Sequence, residues 1–334
     1  MTWRGALRSL EAAARRAERE SRRRQNELER QGKQLDKMLE KERAAYDVAV
    51  YQNRIDMLRS IHKECGPVWD WSRIKDSPPP NPPTSLGNHE RTARSALQNF
   101  RPTLIDKLFG RVENKRQRLA DAVDSAIKAD KSAYQQALAV YEQRSGEWQE
   151  KRALADRVLS RDLQTYLELI NEVSPLHEIS ELGSKLEFRI LNSSAIEVTI
   201  RVNGEEVVPA ETKTQLQSGK LSVKKMSQGQ FNELYQDYVS GCVLRVAREL
   251  FALLPFTVAI VNATAEVLNA QTGHMDEQPI LSVAIQRKTL EGLNLGLIDP
   301  SDSLRNFVHE MDFKKTTGFK PVKKLDPSTM TLNH

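Results

Sequence analysis

Glu211, Thr212 and Lys213 set a carboxylate and an ammonium group two residues apart within a β-branched run, residues 207–214. On a strand, residues i and i+2 project to one face, so Glu211 and Lys213 could meet a single metal-bound water. His62 and Cys65 also have ligand spacing, one helical turn apart. No second pair accompanies them, and six histidines and two cysteines leave little material for a zinc cluster, so they read as a helix terminus. The remaining chemistry is positive charge. Arg22, Arg23 and Arg24 are contiguous. On a helix they fan over about 200° and cannot all pair with acids at i+4, which leaves at least one for phosphate. Lys213, Lys220, Lys224 and Lys225 fall in a stretch, 213–225, with no acidic residue, and Lys314, Lys315, Lys320, Lys323 and Lys324 form a third cluster. Clustered cations favour a polyanion through counterion release, or an anionic membrane surface; as a bland alternative, a mixed-sign run such as 15–30 is a solvated helix face.

The elements that must position these residues are bounded by composition. The chain has 334 residues, 39% apolar and 28% charged, which excludes one large compact globule and leaves room for two domains. The net charge of +5 is concentrated at the N-terminus: residues 1–45 hold thirteen Arg or Lys against eight Asp or Glu, and the remainder balances. No apolar run is long enough to span a membrane, and the Arg-rich start lacks the apolar core of a signal peptide, so a cytoplasmic protein with reduced thiols is expected. Phosphate-binding, dinucleotide-binding, α/β-hydrolase and zincin signatures are all missing.

Residues 2–63 contain no proline and read as one long helix, ending at Cys65-Gly66-Pro67. Its apolar stripe, from Leu28 to Ile61 with Leu35, Leu39, Ile55 and Leu58, is that of a coiled coil or of a helix laid on a partner. Five prolines between 78 and 83 make a stiff connection. Helix resumes near Asn88, breaks at Arg101-Pro102, and runs again over 111–173 with one weak point at Ser145-Gly146. An antiparallel coiled-coil hairpin, or pairing with a second protomer, follows from two such helices. After Pro175 the period changes to that of strands: 186–191, 195–202 and 207–214, with Asn203-Gly204 as a hairpin signal and a further turn at 217–220. An amphipathic helix over 228–254, strands 257–262 and 280–285, and a short helix capped by Asp299 with Pro300 complete an α+β domain. The expected division is an N-terminal coiled-coil helix (1–66), a Pro-rich linker (67–87), a second helical arm (88–174) and the α+β domain (175–334).

This order of helix, three-stranded meander, long helix and strand, with Glu211-Thr212-Lys213 in the third strand, resembles the PD-(D/E)XK restriction-endonuclease-like superfamily, Mrr type, over about residues 176–295. The segments 258–262 and 280–284, with Leu290, resemble the tail of Mrr-type domains. The resemblance implies that Glu211 is the acidic residue and Lys213 the water-activating lysine of the (D/E)-x-K motif. Glu197, across the Asn203-Gly204 hairpin, would be the second Mg²⁺ ligand, and Glu178 or Glu181 an additional helix acid. Lys220, Lys224 and Lys225 would then hold a nucleic-acid backbone beside the site. The implied function is Mg²⁺-dependent DNA cleavage or recognition within a multi-protein bacterial defence or repair system, the arm binding a protein partner or a second protomer. Two alternatives remain open. Glu197, Thr199 and Arg201 are the wet face of a strand whose dry face is Ile196, Val198, Ile200 and Val202, or the protein is a non-enzymatic coiled-coil interaction protein with an inactive nuclease-like domain.

Overall fold

The computed structural model describes residues 40–84, 87–173, 185–268 and 273–329, together with Glu27 and Gly183. The elements in chain order are α1 (Glu40–Ser60), α2 (Trp71–Lys75), α3 (Asn88–Gln98), α4 (Leu104–Leu108), α5 (Val112–Leu159), α6 (Leu163–Val173), β1 (Lys185–Asn192), β2 (Ala195–Arg201), β3 (Glu211–Gln215), β4 (Leu221–Lys225), α7 (Gln228–Leu253), β5 (Val258–Leu268), β6 (Met275–Gln286), α8 (Arg287–Glu291), α9 (Pro300–Ser303), β7 (Val308–Lys314) and β8 (Gly318–Lys320). The chain is α+β, and among the described residues no helix is long and apolar enough to cross a membrane.

Two compact units divide the chain at other points than the sequence suggests. One comprises residues 72–155; the other joins 40–71 to 156–329. The N-terminal helix therefore belongs to the α+β body. The stripe on α1 explains this: its buried Ala44, Ile55 and Leu58, with Ile61 just beyond, meet α7 and the β3–β4 pair, which cover them as a partner helix would. The half of the stripe before Glu40 lies outside the described residues. The chain after α1 is tied to α7 by hydrogen bonds from Trp69 N to Ala252 O (2.8 Å) and Trp71 Nε1 to Leu253 O (2.7 Å).

The core of this body is a six-stranded sheet of order β1-β2-β5-β6-β7-β8. Only β2 and β5 are parallel, as a connection through α7 requires; the other neighbours are antiparallel. Ser227 caps α7 by accepting from Gln230 N at 3.3 Å, and Pro255 follows its end. Helix α7 is buried on nearly every side, because the sheet covers one flank and α1 with α9 covers the other. Ile196, Val198 and Ile200 are fully buried, the dry face expected of β2. Asp299 caps α9 through Ser301 N and Asp302 N, as its sequence implies.

Three local expectations are corrected. Asn203-Gly204 forms no hairpin: Gly204 has φ −68°, not the positive φ of a type I′ turn, and the chain enters a 3₁₀ turn at Glu205–Val207. Tyr238 Oη accepts from Asn203 N (3.2 Å) and Tyr235 Oη donates to Asn203 O (3.1 Å), so α7 holds the backbone that a hairpin would use. Strand β3 accordingly pairs only with β4, through the turn at Gly219 (φ +87°). The third correction is in the long helix. It runs unbroken through Gly146 and stops at Leu159, where Arg161 takes φ 62° and Asp162 restarts α6 by accepting from Thr165 Oγ1 at 2.6 Å.

The smaller unit is built on α5. Trp148 Nε1 donates to Ser77 O (2.9 Å), and Asp130 accepts from the backbone of His89 (3.3 Å) and Glu90 (2.8 Å). The Pro-rich segment between these anchors is thus held along α5, and α3 runs back along the helix toward α4.

Candidate nucleic-acid interface

The register of the large sheet decides what surrounds Glu197. Strand alternation turns Glu197 and Thr199 away from the apolar face and onto the side of Arg189, Asn262 and Ser282. Arg189 lies directly opposite Glu197 and donates to Oε2 from Nε at 2.7 Å and from Nη2 as well. Asn262 Nδ2 donates to the other oxygen, Oε1, at 2.9 Å. Ser282 Oγ donates to Asn262 Oδ1 (2.6 Å) and accepts from Leu325 N (2.9 Å). Asn262 and Ser282 are fully buried, and Glu197 is 9% exposed. The C-terminal segment closes this face: Val322 N donates to Pro279 O at 2.8 Å, and Lys324 Nζ to Thr199 Oγ1 at 3.2 Å. The face expected to be wet is therefore a covered polar network. A carboxylate whose two oxygens already accept from a guanidinium and a buried amide is an anchor for side chains, and a divalent ion would have to displace Arg189 to reach it.

Glu211 and Lys213 lie elsewhere. They sit on β3 in the separate two-stranded sheet, Glu211 opposite Lys225 and Lys213 opposite Val223. The structure does not bring Glu197 and Glu211 to one sheet, and among the described residues no group of three or more His, Cys, Asp or Glu could hold a metal. Glu178 and Glu181, like Arg22, Arg23 and Arg24, fall outside the described residues. The His62–Cys65 pair is also no ligand set. His62 Nε2 is 3.1 Å from Leu295 O, and burial holds its imidazole below the ordinary range. Burial, with the Glu249 carboxylate beside it, pushes the Cys65 thiol up to about 12, leaving it protonated and inert.

What the structure does assemble is the cationic hairpin. Lys220, Lys224 and Lys225 are exposed and Lys213 is half-buried, while Glu211 is the one acid between Glu206 and Glu233. The hairpin is seated on α1. Gln215 Nε2 donates to Lys41 O (2.8 Å) and to Gly219 O (3.0 Å), and Arg54 donates to Val207 O (2.8 Å) ahead of it. The turn closes with Leu216 N to Lys220 O at 2.9 Å. A Cβ at Gly219 would lie 3.1 Å from Lys41 Cγ, so the Lys41 stem packs on this turn and adds a fifth lysine to it. In the third basic cluster, by contrast, Lys315 is paired with Glu233 and Lys324 is engaged by Thr199.

Arg189, Asn262 and Ser282 were not legible as partners of Glu197. The signals were an asparagine inside the apolar run 258–263 and a serine inside 280–285, each needing a polar partner if buried. Compared with known proteins, the chain matches no family model, no curated protein and no solved structure.

Proposed function

We propose that the protein is a non-catalytic nucleic-acid-binding module that grips the phosphate backbone through the β3–β4 hairpin. The observation that carries this reading is a rigidly seated hairpin presenting Lys220, Lys224 and Lys225 to solvent, with Lys213 and Lys41 beside them. Phosphate contacts of this kind position a protein on nucleic acid without reading sequence. The basic residues Arg22, Arg23 and Arg24 precede α1 in the sequence and lie outside the described residues; among the described ones, Lys41 in the first turn of α1 adds to the hairpin lysines. The Mg²⁺-dependent cleavage implied by the restriction-endonuclease-like resemblance needs Glu197 and Glu211 on one metal. Their separate sheets, and the engagement of Glu197 by Arg189 and Asn262, favour the binding reading over it. A role for the N-terminal segment in coiled-coil pairing with a protein partner or a second protomer is compatible with this reading.

The test is fluorescence anisotropy of a labelled duplex of unrelated sequence, titrated at several salt concentrations. Reversing Lys220, Lys224 and Lys225 to Glu should lower affinity uniformly across sequences and reduce the slope of log affinity against log salt by about 0.9 for each phosphate that the variant no longer neutralises. An unchanged slope with an intact fold sinks the proposal.

A further inference from the structure

The turn between α3 and α5 points to a second surface. Three large apolar side chains stand out there: Leu104 and Leu108 at 84% exposure and Phe109 at 64%. They project where a surface turn normally carries polar groups, and the turn's acid, Asp106, is buried. Thr103 and Asp106 form a reciprocal cap, Asp106 Oδ2 accepting from Thr103 N (3.2 Å) and Oγ1 (2.8 Å) while Asp106 N donates to Thr103 Oγ1 (3.3 Å). Lys115 Nζ reaches the same carboxylate at 2.5 Å, and these donors hold it near a pKa of about 2. Arg111 N bonds Asp106 O at 2.9 Å and closes the turn.

The acid of the turn is thus buried and ion-paired with Lys115, while Arg101, Lys107 and Arg111, which flank the apolar side chains in sequence, are exposed, as are Arg116 and Arg118 on the first turns of α5. The guanidinium of Arg111 lies 5.4 Å from the centre of the Phe109 ring, so charge and apolar surface are interleaved. Glu113 is the one exposed acid between Arg101 and Arg118.

We propose that this turn docks on an anionic lipid bilayer, with Leu104, Leu108 and Phe109 entering the acyl boundary and the flanking cations lying at the headgroups. Charge complementarity selects the occupant. A nucleic-acid backbone satisfies the cations but offers nothing to the two leucines, and a neutral apolar groove satisfies the leucines but offers nothing to the cations. An anionic bilayer meets both, and a short amphipathic turn penetrates it by roughly 5–10 Å.

The experiment is co-sedimentation of the full chain with extruded vesicles of phosphatidylcholine alone or mixed with phosphatidylglycerol. Binding to the mixed vesicles is expected, weakened by salt. The triple variant Leu104→Asn, Leu108→Asn, Phe109→Asn should partition at least about 100-fold less, with unchanged helicity by circular dichroism, since each large apolar side chain contributes about a tenfold factor or more. Its duplex affinity should stay at the wild-type value, which separates this surface from the lysine hairpin. The proposal is overturned if the wild type ignores phosphatidylglycerol vesicles, or if the triple variant binds them as the wild type does, in which case basic segments alone carry the binding. It is equally overturned if the variant instead changes the mass of the lipid-free protein, which would make the turn a contact between copies.

Discussion

Replacing Glu197 by Ala separates a structural anchor from a metal ligand. The network gives the expected size. Removing the carboxylate leaves Asn262 Nδ2 without its acceptor in a fully buried position, and an orphaned buried donor costs about 1–3 kcal/mol. The Arg189 pair adds less: its guanidinium side chain is 65% exposed, so its contribution is that of a surface ion pair, about 0–1 kcal/mol. The sum is about 1–4 kcal/mol, which for a body of this size lowers Tm by roughly 2–16 °C. Arg189→Ala alone should cost no more than about 1 kcal/mol, and Glu197→Gln an intermediate amount. In Glu197→Gln the side-chain carbonyl would still accept from Asn262, while the new amide would face the guanidinium donor to donor. The assay is differential scanning fluorimetry of the three variants and the wild type, with and without Mg²⁺. Mg²⁺ should leave every Tm unchanged. If Glu197→Ala melts like the wild type, the network carries no stability. If Mg²⁺ stabilises the wild type and Glu197→Gln abolishes that gain, Glu197 is a metal ligand and the binding reading gives way to the nuclease one.

Two further substitutions probe the neighbouring elements. Gly219→Ala forces a side chain into φ +87° against Lys41 Cγ, so it should destabilise the hairpin by about 1–2 kcal/mol. Faster amide exchange over 211–225, with the sheet core unaffected, is the expected result, and unchanged exchange would mean the turn is not strained as described. Asp237, facing Asp299, Ser301, Arg59 and Glu233, is pushed up to about 6, first by burial and then by the Asp299 charge. The fold therefore binds its proton more tightly than the unfolded chain does, and this group's contribution to stability rises as pH falls from about 6 toward 3.8. Asp237→Asn should melt above the wild type at neutral pH, with the gap closing across that window; a gap of the opposite sign would mean that attraction to Arg59 outweighs desolvation.

How far the sequence could be read depends on the range of each signal. Helix α7, the Asp299-Pro300 cap and the turn at Gly219 rest on residues within a few positions of one another, and all are present. The alternation of Ile196, Val198 and Ile200 likewise identified the buried face of β2. Strand pairing is not local. Asn203-Gly204 carries the strongest hairpin pair in the chain, yet β2 pairs with β5, more than fifty residues later, because the apolar run 258–263 buries far more surface against it than the polar β3 could. The pairing of Glu197 with Glu211 at one metal rested on the same hairpin, since it required β2 and β3 to be neighbours. Strands β7 and β8 went unseen for a related reason: Val308–Lys314 alternates half-buried with exposed positions, and its mixed Val, Met, Asp and Phe composition gives no β-branched run.

The displacement of β3 from the large sheet has a functional consequence. Had β3 paired with β2, Lys213 and Glu211 would have been drawn toward a sheet covered by α7 on one side and by the C-terminal segment on the other. Standing apart on α1, the hairpin is held at both ends, by Arg54 ahead of β3 and by Gln215 and the Lys41 stem at the turn, and it presents Lys220, Lys224 and Lys225 to solvent. The same tyrosines that cancel the Asn203-Gly204 hairpin, Tyr235 and Tyr238 on α7, fix the point at which the chain leaves the core. A cationic surface so placed needs no reorganisation to meet a polyanion, since the side-chain stems alone are free to adapt. Removing the tether should therefore cost affinity before it costs stability. In Tyr235→Phe the Asn203 carbonyl loses one donor while the ring packing remains, so melting should shift by no more than about 1.5 kcal/mol while duplex affinity falls measurably. Equal melting and equal affinity would show that the tyrosine does not position the hairpin.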